Sequence, residues 1–162
     1  MKKIGLLILL LLMVISCTSD ENDDLILAEE IIFGEIYGQC LGDCRNLFLL
    51  TEQGIYEDSN SDIDFGDLIE ISDWENTTFN SQPLAKDKFE LAQKLIEFPD
   101  NLLQSNNEIT EQIWADFDYF IQIKTNTTSK TWVFDRIKET TDSKIKQYME
   151  KMIAINDQLN DY

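Results

Sequence analysis

Residues 30–57 read EIIFGEIYGQCLGDCRNLFLLTEQGIYE, and this stretch decides the fold. Glu30 to Tyr37 is rich in Ile, Phe and Tyr and bounded by glycine, the pattern of a strand. Asn46 to Glu52 gives a second strand, in which Leu47 to Leu50 is continuous enough to be covered on both faces. Gln53-Gly54 is a turn signal, and Ile55 to Glu57 returns as a third strand. Three strands joined this closely pair antiparallel, because a parallel pair needs a crossover of a dozen residues or more.

Toward the C-terminus the elements alternate. Ser59 to Asp67 reads as a polar, acidic loop and Trp74 to Phe79 as a short strand. Pro83 is expected to open a helix, with Phe89, Ala92 and Ile96 on one face, Leu91 and Leu95 beside them, and Pro99 as its end. Asn101 to Gln104 adds one more turn. Phe117, Tyr119, Ile121 and Ile123 alternate with Asp118, Gln122 and Lys124, which predicts a half-buried strand whose alternation Phe120 breaks. Asn126 to Ser129 turns the chain and Thr131 to Asp135 pairs back. Asp142 or Thr141 caps a long last helix, whose apolar stripe is Ile145, Tyr148, Met149, Met152, Ile155 and Leu159. The expected fold is α+β: a small antiparallel sheet of about five strands with a central helix and a C-terminal helix packed on one face.

Toward the N-terminus the chain changes character. Lys2 and Lys3 precede twelve almost purely aliphatic residues, Ile4 to Ile15. As a helix these span about 18 Å, too short for roughly 30 Å of hydrocarbon core but suited to a signal peptide. Val14-Ile15-Ser16-Cys17 resembles a bacterial lipobox, with Ile15 standing where a small residue is usual. The resemblance implies cleavage before Cys17, acylation of that cysteine and attachment to a membrane through the lipid. The acidic run that follows includes Ser19-Asp20-Glu21, which is similar to the export signal of surface lipoproteins of the Bacteroidota. That implies an outer-membrane lipoprotein facing the cell surface, with a periplasm-facing one as the alternative. The division expected is a signal peptide over 1–16, an acidic tether over 17–29 and one domain over 30–162.

Composition closes several doors. The chain has 31 acidic and 13 cationic residues, and losing Lys2 and Lys3 leaves 11 cations and a charge of −20. That field repels phosphate backbones, so no nucleic-acid partner is expected. Histidine is absent, which removes Ser-His and Cys-His nucleophile pairs and imidazole metal sites together. No glycine-rich phosphate loop is present, and neither a cofactor nor a metal is expected. Cys40 and Cys44 are spaced C-x-x-x-C, not the redox C-x-x-C. In an oxidising compartment a structural disulfide between them is the expectation, and two free thiols are the alternative. Such a small loop contributes about 2 kcal/mol in a chain-entropy account.

Cys40, Gly42, Cys44, Phe48, Gly54 and Tyr56, followed by Asp118 with its strand and by the last helix, resemble an uncharacterised family of small bacterial exported domains. Its mark is a C-x-G-x-C hairpin near the start of an antiparallel sheet. Asp43 and Arg45 depart from the family pattern, in which a proline lies near the second cysteine. The resemblance implies the order of elements and brings no activity with it.

Three constellations remain. Oxygen donors at Asp58, Asn60, Asp62 and Asp64 resemble the start of a calcium loop, but Ile63 and Ile69 stand where an EF-hand needs glycine and glutamate. The loop therefore reads as a solvated one. Glu35, Asp116 and Asp118 lie on or beside strands and are the acids that a carboxylate-based hydrolase of polysaccharide or peptidoglycan would use. The rings of Trp74, Trp114, Phe117, Tyr119, Phe120, Trp132 and Phe134 read as core, with Trp132 and Phe120 the exceptions on a less buried face. The functional expectation is a non-enzymatic binding or interaction module with an unknown protein or glycan partner, the hydrolase being the alternative.

Overall fold

A computed structural model describes residues 25–37, 45–59, 77–105, 109–111 and 117–160. Its centre is a five-stranded antiparallel sheet of β2 (Glu30–Tyr37), β3 (Arg45–Thr51), β4 (Gly54–Glu57), β7 (Phe117–Lys124) and β8 (Ser129–Phe134), in the order β4-β3-β2-β7-β8. β2 is central because its eight residues are flanked by the hairpins β3-β4 and β7-β8, pairing Ile32 with both Leu49 and Gln122. Two short ribbons lie outside the sheet: β1 (Leu25–Leu27) on β5 (Glu97–Pro99), and β6 (Thr110–Glu111) on β9 (Arg136–Ile137). The helices are α1 (Lys86–Ala92), continued by a 3-10 turn over Gln93–Leu95, then α2 (Asp100–Gln104) and α3 (Ser143–Asn160). This is the α+β architecture read from the sequence.

Odd-numbered positions of β2 and β7 face the helices. Ile31, Phe33, Ile121 and Ile123 join Ala92, Leu95 and the α3 stripe Ile145, Tyr148, Met149, Met152, Ile155 and Leu159 in one core. Each of the larger aliphatic and aromatic side chains contributes about 1.5–3 kcal/mol by leaving water, which far outweighs the helix propensity of α3 itself. Of the two candidate caps for α3 the structure selects Asp142, whose Oδ1 accepts from the N–H groups of Lys144 and Ile145 at 3.0 and 3.3 Å.

The other face carries a second, smaller core of Ile32, Ile36, Leu47 and Phe120, with Leu49, Phe79 and Val133 against it. Phe120 is therefore fully buried, which explains the broken alternation of its strand. Trp132 is buried too, because its register partner Ile121 puts it on the helix face. Both corrections to the expected exposed rings follow from a sheet covered on two sides. Gly34, in mid-strand at φ +152°, allows a close approach: a Cβ there would lie 2.1 Å from the Asn46 carbonyl oxygen.

Three boundaries differ from expectation. The helix begins at Lys86, not at Pro83, because the Leu84 N–H is used by the Ile55 carbonyl at 2.8 Å, tying this segment to β4. Pro99 ends a strand instead of a helix; the missing N–H is tolerated at the end of an edge strand. The tether read over 17–29 gives way at Leu25, since Leu25–Leu27 pairs with β5 and Ala28 is buried with its N–H on the Ile96 carbonyl.

Candidate functional site

The acids singled out in the sequence are not brought together. In β2 and β7 Glu35 pairs with Tyr119 and Ile36 with Asp118, so Glu35 and Asp118 stand on opposite faces of the sheet. Asp116 lies outside the described residues. Glu35 is held under α3: its two carboxylate oxygens accept from Tyr37 Oη at 2.8 Å and from Asn156 Nδ2 at 2.7 Å. Beside it Asn46 Nδ2 donates to Asn160 Oδ1 at 2.7 Å. Burial, then the hydrogen bond to Glu35 and its charge, push the Tyr37 phenol up to about 12. Tyr119 is raised by burial and by the charges of Asp157 and Glu35. This network fastens the C-terminal half of α3 to the sheet, so each Glu35 oxygen already serves a structural hydrogen bond.

Asp118 has a partner that sequence reading missed. One step beyond the last β7-β8 pair, Tyr119 with Phe134, it meets Asp135. Burial, followed by the hydrogen bond with Asp118 and the charge of Asp118, pushes the Asp135 carboxyl up to about 6 against the opposing charge of Arg136. The signal was present in the sequence: the turn after Lys124 sets Lys124 opposite Ser129, and counting outward along both strands puts Asp118 opposite Asp135.

Asp58, the first donor of the imagined calcium loop, is buried. Its Oδ2 lies 3.5 Å from Arg45 Nε and accepts from the Leu47 N–H at 2.9 Å. It is thus a structural ion-pair partner rather than a solvated ligand. Asn60, Asp62 and Asp64 lie outside the described residues, as do Cys17, Cys40 and Cys44, Trp74 and Trp114. Among the described residues no group of three or more acids or thiols is placed to hold a metal ion.

Among the described residues a cavity of functional size lies elsewhere. A cleft of about 370 Å³ opens between the β1-β5 ribbon, the 3-10 turn, the start of α2 and the first three turns of α3. Lys94, Lys144 and Lys151 line it, with Glu97 and Asp100, and Leu25, Pro99 and Tyr148 supply apolar wall. Lys144, Tyr148 and Lys151 share a face because they recur at spacings of four and three. Tyr148 is fixed by its hydroxyl, which donates to the Leu95 carbonyl at 2.8 Å. Lys151 Nζ donates to the Lys94 carbonyl, and burial with the nearby Lys94 charge lowers its pKa against the pull of Glu97. The opening strand residue Leu25 was read as tether, so the cleft was invisible to sequence reasoning; only the i, i+7 pair Lys144 and Lys151 hinted at it. Compared with protein-family models, with curated proteins and with solved structures, the chain matches none.

Proposed function

We propose that the protein is an exported lipoprotein, acylated at Cys17 and held by that lipid in the outer membrane facing the cell surface. Its α+β domain serves there as a non-enzymatic binding or interaction module. The observation that carries the reading is the N-terminal sequence: two lysines, twelve apolar residues, Cys17 and an abrupt acidic run. The separation of Glu35 from Asp118 supports binding over hydrolysis, and so does a cleft with three lysines against two acids. The test is Cys17→Ser in the expressing cell. The parent should partition into the detergent phase and the variant should not; equal partitioning refutes the lipoprotein. Capture from intact cells by crosslinking then names the partner.

A second reading, the carboxylate-based hydrolase, is favoured by the raised acid Asp135 beside Asp118 and by Glu97 and Asp100 in the cleft. Against it, Asp118 and Asp135 share a hydrogen bond, closer than the roughly 5 Å that glycoside hydrolysis needs, and neither lines the cleft. Purified protein assayed on glycans and peptidoglycan beside Glu35→Gln, Glu97→Gln, Asp118→Asn and Asp135→Asn decides. Turnover that one of these substitutions abolishes would replace the binding module with the enzyme.

A further inference from the structure

We propose that the lysine-lined cleft, with Leu25 and Leu27 beside it, is the face that the domain turns to the bilayer, the cleft taking the anionic headgroup of a membrane lipid; this rests on the lipoprotein reading. Three observations meet there. The first is reach. Leu25 stands eight residues after Cys17, so extended chain separates the anchor from the cleft by about 28 Å at most. The second is exposed apolar surface. Among the described residues Leu25 and Leu27 are the large hydrophobic side chains left in solvent, 50% and 60% exposed. Two apart on a strand, they project from the same side. Leu25 also lines the cleft, so the apolar pair and the lysines form one continuous surface.

The third observation is charge. The mature chain carries −20, and an anionic membrane surface repels it as a whole. A tethered domain cannot diffuse away, so it turns. The favoured orientation presents cations to the membrane and acids to water. Lys94, Lys144 and Lys151 are all exposed and line the cleft beside the point where the chain arrives from its anchor, outnumbering Glu97 and Asp100 there by one charge in a strongly acidic chain. Lysine ammonium groups act as compact point charges on phosphate oxygens, and about 370 Å³ accommodates a phosphate ester headgroup. A soluble anion would account for the lysines but not for the leucines, which gain by burial against an apolar surface, and the bilayer is the apolar phase that the lipid anchor holds within reach. That distinction selects lipid as the occupant.

The experiment uses the acylated mature protein in vesicles of phosphatidylcholine alone or with about one-third phosphatidylglycerol. Lysines are acetylated with an amine-reactive ester and mapped by mass spectrometry. Lys86, whose side chain is 88% exposed, is the internal reference. Acetylation at Lys94, Lys144 and Lys151 should slow by about fivefold in the anionic vesicles while Lys86 is unchanged. A Leu25→Ser, Leu27→Ser variant should lose most of the protection without a change in melting temperature, since both side chains are exposed. Equal rates in the two vesicles overturn the proposal. So does equal protection by inorganic phosphate in detergent micelles, which would make the cleft a small-anion site. The N-terminal peptide mass separates the two readings: acyl mass on Cys17 without protection overturns the headgroup site alone, and its absence overturns the lipoprotein as well.

Discussion

Met152 sits at the centre of the α3 interface, 1% exposed and walled by Phe33, Tyr119 and Ile121. Met152→Asp tests whether packing there holds the domain together. Two costs apply. Deleting a buried methionine side chain costs about 3 kcal/mol from lost burial and the cavity left behind. The new carboxyl then enters an apolar pocket, which pushes its pKa upward; two units cost about 3 kcal/mol more at neutral pH, at about 1.4 kcal/mol per unit. The sum of about 6 kcal/mol is comparable with the whole stability of a domain this size, and lowers Tm by about 18 °C if the variant folds at all. The sign of the pH dependence separates the costs. A carboxyl whose folded pKa is raised stabilises most below its unfolded pKa and loses that contribution as pH rises through the folded one. Urea unfolding of Met152→Asp and Met152→Ala, followed by tryptophan fluorescence at about pH 5 and about pH 7.5, should therefore show the gap between the two variants widening with pH. A Met152→Asp variant within about 1 kcal/mol of the parent refutes the docked helix. A gap independent of pH refutes the buried charge.

Gly34→Ala should cost about 3 kcal/mol or more, since the added Cβ meets the Asn46 carbonyl oxygen at 2.1 Å and φ is +152°; a Tm within a degree or two of the parent would show that β2 and β3 can separate freely. Asp135→Asn should stabilise the domain above about pH 6. The parent carboxyl, raised from 3.8 to about 6, gives its full contribution below 3.8 and loses it as pH rises through 6. Parent and variant should accordingly diverge between those limits, and parallel pH–stability curves would refute the shift. Mature protein, denatured without reductant, should yield no alkylatable thiol at Cys40 or Cys44; two labelled cysteines in fresh material would exclude the disulfide.

The sheet was legible because its signals are local. β2 falls at Glu30–Tyr37, as its composition predicts, and β3 begins one residue early at Arg45. The α3 stripe is buried throughout, since the spacing that aligns those residues is a property of the helix alone. What was not legible depends on distant partners. Leu25–Leu27 follows an acidic run and is too short to show a period; it becomes a strand by pairing with Glu97–Pro99, seventy residues on. Asp58 looked like a solvated loop residue because nothing near it in sequence announces Arg45 as a buried partner. Asp135 was recoverable only from the hairpin register, since it stands at the end of its strand and meets Asp118 across the sheet.

The two-sided covering of the sheet bears directly on function. A sheet with a bare face offers an aromatic platform, and Trp132 with Phe134 on one face or Phe120 on the other would have supplied it. All three are buried, Phe120 under the second core and the other two under the helices. Neither face can then bind a ligand without uncovering a core, at a cost the domain's modest stability would not sustain. On the proposed reading, recognition falls to the periphery. There the β1-β5 ribbon stands outside the sheet, exposes Leu25 and Leu27, and borders the lysines of α3. The same ribbon holds Leu25, the first of the described residues, and Leu25 itself lines the cleft.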